Sequence, residues 1–343
     1  MTLPLKHAID GTYSIGVDLG GTNLRIASYA GGNDFLETIH LPTRLAEGRD
    51  QVVRDMCEAI LTLRGRNYGE RRFAGVGIGT PGPLELPEGI LRNPPNLHGW
   101  DGFHLRSAIE SQLGMPVYLE SDANVAALAE SCYGAGGRYG VDSLCVLTLG
   151  TGVGNGLILN DRVWHGTTGM GGEGGHIVVQ PDGAPCGCGG HGCLEQYASA
   201  PGIVRMGRER IGANSPNTAL EIATLARAGN QQAISIFETV GESLAIALTA
   251  LVNTMNLQLY LLGGGVCEAW DLFSATMFRE LRERSYVYRL TQPDQPVSGR
   301  LERHKTYVLR AQLGTSAGLL GSCLLPVQED AAASVELEDA VGT

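Results

Sequence analysis

The chain has 343 residues, 43% of them hydrophobic and 18% charged, with a formal net charge of −11. That is enough chain to bury two cores, so a two-domain globular enzyme is expected. The acidic balance argues against a surface made for nucleic acid or an anionic membrane, either of which wants clustered Lys and Arg, and leaves a small-molecule ligand.

The opening MTLPLKHAIDGTYSIG has no basic region followed by an apolar one, as a secretion signal would, and no later apolar run approaches the ~18 residues of a membrane span. The expected location is cytoplasmic. From Tyr13, YSIGVDLGGTNLRIASY reads as two strands joined by a Gly-Gly-Thr turn. FAGVGIG at 73–79 is a strand, a Pro- and Asn-rich loop follows, VYLE at 117–120 is a short strand, and ANVAALAESCY is a helix. DSLCVLTLGTGVGNGLILN, from Asp142, repeats the strand, glycine-and-threonine turn, strand pattern, so the halves are expected to be a structural duplication. AISIFETVGESLAIALTALVNTM from Ala233 reads as a long helix, then LQLYLLGGGV as a strand before another helix. The residues 327–343 are acidic and aperiodic, and are expected to be a disordered tail.

Three glycine-rich turns carry the first chemical inference. In DLGGTN the glycines Gly20 and Gly21 let backbone amides approach an anion, Thr22 and Asn23 add polar side chains, and Asp18 is suited to a hydrated divalent cation beside phosphates. Alone, such a turn more often just reverses a hairpin. Thr151 and Gly152 in a second turn, and Gly263, Gly264 and Gly265 in a third, make nucleotide binding the better reading.

Of the eight cysteines, Cys57, Cys132, Cys145, Cys267 and Cys323 sit among apolar neighbours and read as small buried residues. Cys186, Cys188 and Cys193 lie instead in a glycine-rich stretch with His176 and His191, where three thiolates and one imidazole would close a tetrahedral zinc site with no open position. Either histidine could complete it on this evidence. A redox pair is the rival reading, although the Cys-Gly-Cys spacing strains a disulfide between its two cysteines.

Seven segments together resemble the ROK family of sugar kinases and repressors: DLGGTNLR (18–25), GIGTPGPL (77–84), NPPNLHGW (93–100), SDANVAALAE (121–130), LTLGTGVGNGLIL (147–159), GEGGHI (172–177) and CGCGGHGCLE (186–195). The resemblance spans roughly residues 13–323. It implies an α/β, two-domain actin-like ATPase (ribonuclease H-like) fold, with duplicated β-hairpin phosphate loops and an interdomain cleft. The expected division is 1–122 for the first domain, with a helix at about 313–325 returning to it, and 123–312 for the second, which carries the zinc loop 176–195.

The resemblance also assigns roles. His176, Cys186, Cys188 and Cys193 are the implied zinc ligands. Asn96, Glu173, His176 and Glu195 are the implied hexose contacts, with Asp122 as the general base; without the motif, either Glu could be a solvated surface residue, Asn96 a turn cap and Asp122 an N-cap. The family usually has Asn before the catalytic Asp, contacting the sugar, where this chain has Ser121. ATP, Mg2+ and structural Zn2+ are the implied cofactors, and a homodimer is the family expectation. The implied reaction is ATP-dependent phosphorylation of a hexose, expected to be glucose to glucose 6-phosphate. The alternatives are an N-acetylglucosamine or N-acetylmannosamine kinase, or a sugar-responsive regulator. Only 17 residues precede Asp18, without a helix-turn-helix pattern or basic patch, which favours the kinase.

Overall fold

Along Thr12–Leu19 (β1) the side chains alternate: Ile15, Val17 and Leu19 are apolar, whereas Ser14, Gly16 and Asp18 are small or polar. A computed structural model, which describes residues 11–328 apart from 33, 95, 296 and 298, gives that alternation its meaning. β1 is the middle strand of a sheet ordered β3-β2-β1-β4-β7, whose other members are Asn23–Tyr29 (β2), Glu37–Pro42 (β3), Arg72–Thr80 (β4) and Val117–Ser121 (β7). The short strands Leu84–Glu85 (β5) and Ile90–Leu91 (β6) pair with each other in a small ribbon. Ile15, Val17, Leu19, Val76 and Ile78 face a core completed by Val52, Met56, Ile60 and Leu63 from the helix Arg49–Arg64 and by Leu105 and Ile109 from the helix Leu105–Leu113.

The opposite face has little side-chain volume, and a helix lies close upon it. The helix at 317–328 takes a hydrogen bond from Ser14 Oγ to the Cys323 carbonyl at 2.6 Å. A β-carbon at Gly77 would fall 2.0 Å from the Ser322 carbonyl oxygen, and one at Gly321 1.8 Å from that of Val125. The alternating glycines of GVGIG are thus the price of this packing.

The chain divides into two compact units. Of the described residues, 11–133, Arg162–Gly171 and 315–328 make the first; Gly134–Asp161 and Gly172–Gly314 make the second. The break falls after Tyr133 and not at 122, because the helix Asp122–Cys132 packs on β4 and β7. The segment 162–171, expected in the second domain, belongs with the first. Of the expected tail, 327 and 328 close the helix at 317–328, and the remainder lies outside the described residues.

The second unit repeats the plan of the first. Leu144–Leu149 (β8) and Val153–Leu159 (β9) form an antiparallel hairpin, and Leu259–Gly263 (β11) and Tyr307–Arg310 (β12) extend it in parallel, giving the order β9-β8-β11-β12. In the first unit the matching order β2-β1-β4-β7 has the same senses. After β9 a two-residue turn, Asn160 and Asp161 both at positive φ, leads to Arg162–Val163 (β10). The core of the second unit is dominated by the helix Gln231–Met255, which contributes Ile236, Phe237, Val240, Leu244 and Leu248. By length and composition this helix could cross a membrane, which corrects the expectation that no run comes near that length. In this fold half of its apolar stretch is buried, and Glu238 and Glu242 lie on its exposed side.

Candidate active site

The first glycine turn joins β1 to β2. Gly20 N–H donates to the Asn23 carbonyl at 2.9 Å, while Thr43 braces the turn twice, from its Oγ1 to the Gly20 carbonyl at 2.7 Å and from its N–H to the Thr22 carbonyl at 2.8 Å. Thr22 and Asn23 are left exposed. Asp18, on the glycine face of β1, pairs through Oδ2 with the Arg25 guanidinium: Nε donates at 2.9 Å and Nη2 makes a second, shorter contact. Arg25 also donates to the Thr315 carbonyl at 2.8 Å, and the start of the helix at 317–328 lies beside the Asp18 carboxylate, within 3.4 Å of a β-carbon built on Gly318. Arg25 therefore engages one carboxylate oxygen of Asp18, and the other keeps acceptor capacity for a hydrated cation. Asn96 is exposed and lies against this turn, its carbonyl oxygen 2.9 Å from where a β-carbon of residue 21 would sit.

Ser121 ends β7 and caps the next helix, accepting from the Asn124 N–H at 3.3 Å. Asp122 is the first helical residue and is exposed. The capping role that Asp122 could have filled is therefore supplied by its neighbour, and Asp122 stands in the first turn of the helix.

In the second unit the other two glycine turns lie side by side. Gly150 N–H closes the β8–β9 turn onto the Gly152 carbonyl at 2.9 Å, with Thr151 exposed. Gly264, between the end of β11 at Gly263 and the short helix Gly265–Ala269, lies on the Leu149 carbonyl. Glu195 packs against Gly152 and accepts the Val153 N–H on Oε2 at 3.1 Å. That bond was not legible in the sequence, and it gives Glu195 a fixed position beside a phosphate-loop candidate.

Glu173 and His176 occupy a short turn against β9. Glu173 Oε2 is 3.8 Å from His176 Nε2. Burial pushes the Glu173 carboxyl above the usual carboxylate range, with His176 opposing the shift and Glu195 adding to it. The structure thus brings Glu173, His176 and Glu195 into one electrostatic neighbourhood. The other ring nitrogen of His176, Nδ1, is 3.6 Å from Cys186 Sγ.

Those two atoms belong to a cluster with Cys188 and Cys193 in which all four candidate ligand atoms lie within 4.8 Å of one another. Cys188 and Cys193 sulfurs are 3.7 Å apart. Two ligands about 2.3 Å from a tetrahedral zinc are about 3.7 Å apart, so the donor set and its spacing fit that ion. The Gly190 amide holds the Cys188 thiol below its usual range, whereas burial raises Cys193 to about 12. His191, the rival ligand, is exposed and stands outside the cluster. Gly192 explains the tightness of the fold here: it has φ +71° and would place a β-carbon 1.6 Å from the Gln180 carbonyl oxygen, so no larger residue fits.

Sequence reasoning missed Glu120 and His165. Glu120 is almost fully buried, and its carboxylate contacts His165 Nε2. The signal available was a Glu ending an otherwise apolar strand; the partner, 45 positions away, left none.

The model of the ROK family matches residues 14–329. The glucokinase of Halalkalibacterium halodurans is 32% identical over 330 residues, 92% of this chain and 95% of its own. The crystal structure of a ROK family glucokinase from Streptomyces griseus, in complex with glucose and AMPPNP, superimposes with a TM-score of 0.70 at 30% identity, over 91% of this chain and 98% of that one. The xylose repressor of Bacillus subtilis is 29% identical over 80% of this chain and 70% of its own length. With two β-hairpin sheets of the same plan and a family match over nearly its whole length, the chain belongs to the ROK family and is a sugar kinase of the actin-like ATPase fold.

Proposed function

We propose that this sugar kinase converts glucose to glucose 6-phosphate with ATP, and that Asp122 is its general base. The observation that carries the reading is the placement of Asp122: an exposed carboxylate at the first position of a helix already capped by Ser121. The glucose and AMPPNP bound in the Streptomyces griseus relative support the choice of both substrates.

In the reaction Asp122 accepts the proton of the sugar 6-hydroxyl as that oxygen forms its bond to the γ-phosphorus. The bond from the γ-phosphorus to the bridging oxygen breaks, and ADP carries that electron pair away. The glycine turns at Gly20–Asn23, Thr151–Gly152 and Gly263–Gly265 bind the phosphates through backbone N–H groups. Mg2+, which would be held through Asp18, would supply charge neutralisation on the phosphates. Asn96, Glu173, His176 and Glu195 orient the sugar hydroxyls, the carboxylates accepting from adjacent diols. His176, Cys186, Cys188 and Cys193 would hold a structural zinc that fixes the imidazole orientation. The eight cysteines form no disulfide, and a reducing, cytoplasmic setting is part of the reading. A homodimer, testable by sedimentation, completes the reading.

A coupled kinase assay with ATP across glucose, mannose, N-acetylglucosamine and N-acetylmannosamine tests the substrate. The highest kcat/KM is expected for glucose. A preference for an N-acetylated sugar would move the assignment to an amino-sugar kinase, and sugar binding without turnover would favour a regulator like the xylose repressors.

Ser121 supplies a further prediction. Asn caps helices as well as Ser does, so Ser121→Asn should preserve the helix start and the melting temperature, its Oδ1 taking over the Asn124 N–H. The amide nitrogen then has a hydrogen to offer the sugar. One neutral hydrogen bond is worth about 0.5–1.5 kcal/mol, so KM for glucose should fall by about two- to twelve-fold, with kcat changing less. Steady-state kinetics of the variant would contradict this if KM rose.

A further inference from the structure

Glu120 takes no part in the reaction just described, yet it is a carboxylate with 3% of its surface exposed, one residue from Ser121 and two from Asp122. A buried carboxylate needs donors on both oxygens. Oε1 accepts from the Ser121 N–H at 2.8 Å and from the Asn124 side-chain amide at 2.9 Å. Oε2 faces Nε2 of His165. An ionised carboxylate only accepts, so Nε2 carries the hydrogen. The residues bonded to Oε1 are those that make the helix cap, since Asn124 N–H is the group bound by Ser121 Oγ. Glu120 thus binds both ends of the turn Ser121–Asn124 that Ser121 Oγ closes, and Asp122 lies within that turn.

The histidine end of this chain of bonds is also fixed. His165 belongs to the segment Arg162–Gly171, which the chain returns to the first unit. Its carbonyl accepts the Gly171 N–H at 2.8 Å, which closes the loop. Gly169, at φ +85°, lies so near the ribbon strand β5 and its continuation that a β-carbon would be 2.8 Å from Leu86 N and 3.1 Å from the Leu84 carbonyl oxygen. A loop anchored at both points delivers the imidazole to Glu120 with little freedom.

We propose that His165 is a positioning residue for the phosphoryl-transfer base: through Glu120 it fixes the turn Ser121–Asn124 on which the Asp122 carboxylate is mounted. The inference rests on the reading of Asp122 as base. Removing the imidazole leaves Glu120 Oε2 without its donor in a buried site. The carboxylate must then rotate toward water, which weakens its hold on the Ser121 N–H and the Asn124 amide. Displacements of about 1 Å at such a distance from the chemistry cost up to about 10²-fold in rate.

The test compares His165→Leu, His165→Gln and Gly169→Ala with Asp122→Asn, all in the full chain, reading kcat, KM for glucose and for ATP, and melting temperature. His165→Leu should lower kcat by about 10- to 10²-fold, with KM for ATP within about twofold. His165→Gln, whose amide nitrogen can still donate to Glu120, should recover kcat to within about threefold, as expected of a single hydrogen bond restored in poorer geometry. Gly169→Ala, which shifts the loop and keeps the histidine, should lower kcat in the same direction as His165→Leu. If His165→Leu does not fold, His165→Asn, whose shorter amide stops short of Glu120, replaces it with the same expected loss. Wild-type kcat in a folded His165→Leu variant, or equal losses in the Leu and Gln variants, would overturn the proposal while an inactive Asp122→Asn left the base assignment standing. Turnover by Asp122→Asn would remove both.

Discussion

Replacing Asp122 by Asn should leave a folded protein that binds ATP and glucose and turns over about 10²–10⁴ times more slowly, the range by which a positioned base accelerates proton transfer. That loss corresponds to about 3–5 kcal/mol of transition-state stabilisation. The fold should survive because the helix start does not depend on this side chain: the cap is Ser121, and the buried contacts are made by Ala123, Asn124, Val125 and Leu128 behind it. Asn matches Asp in size but cannot take the proton, so KM values should stay near those of the parent while kcat falls. Calorimetric binding of ATP to the variant, together with its melting temperature, separates a lost base from a damaged fold. A folded variant turning over at the parental rate would remove Asp122 from the mechanism.

The second large effect concerns the metal. The stretch from His176 to Leu194 has no long strand or helix: it is held by two isolated bridges, Val178 with Cys193 and Pro185 with His191, by backbone hydrogen bonds across the loop such as Val179 N–H to the Gly192 carbonyl and Leu194 N–H to the Ile177 carbonyl, and by Val179 and Leu194 in the core with Ile177 and Ala184 packed against it. Structural zinc sites contribute about 10–16 kcal/mol of apparent binding energy, which in such a stretch is folding energy. Purified protein should therefore contain one zinc per chain by elemental analysis. Removing it with a chelator, or replacing Cys188 by Ser, should open 176–195 to proteolysis and abolish glucose binding, because His176 loses the ligand that orients its ring toward Glu173. ATP binding should be affected less, since the glycine turns rest on the β8–β9 hairpin and the end of β11. Metal-free protein with full activity would exclude the assignment.

The parts of this architecture that could be read from the sequence are those in which the determining residues are neighbours. Alternation along β1, the Gly-Gly-Thr turn and the two hairpins are local patterns, and the close set of three cysteines announced a cluster before its geometry was known. Where two candidates lay equally near, as with His176 and His191, spacing could not choose, and the direction of the side chains did. The contacts that escaped are those between distant segments. Nothing around Glu120 indicates that its partner arrives 45 residues later, and nothing in VWHG indicates that this piece rejoins the first unit. That Ser121 and not Asp122 caps the helix has a different origin: both residues are good caps, and one position of register along the chain decides which of them takes that place.

The three-part construction of the first unit has a consequence for how the chain is made. The glycine-lined face of β1 and β4 is covered by the helix at 317–328, the last element the structure describes, bound to Ser14 and pressed onto Gly16 and Gly77. During synthesis, at roughly 5–20 residues per second, β1 emerges early and waits on the order of tens of seconds for that cover. The second unit, drawn from Gly134–Asp161 and Gly172–Gly314, is complete before it. The nascent chain should thus finish its later unit first, carrying an open sheet face in the earlier one, and a chain stopped at 314 should aggregate through that face although every proposed site residue is present. Pulse-labelled translation intermediates probed by protease would reveal this order, with protection of the second unit preceding that of the first.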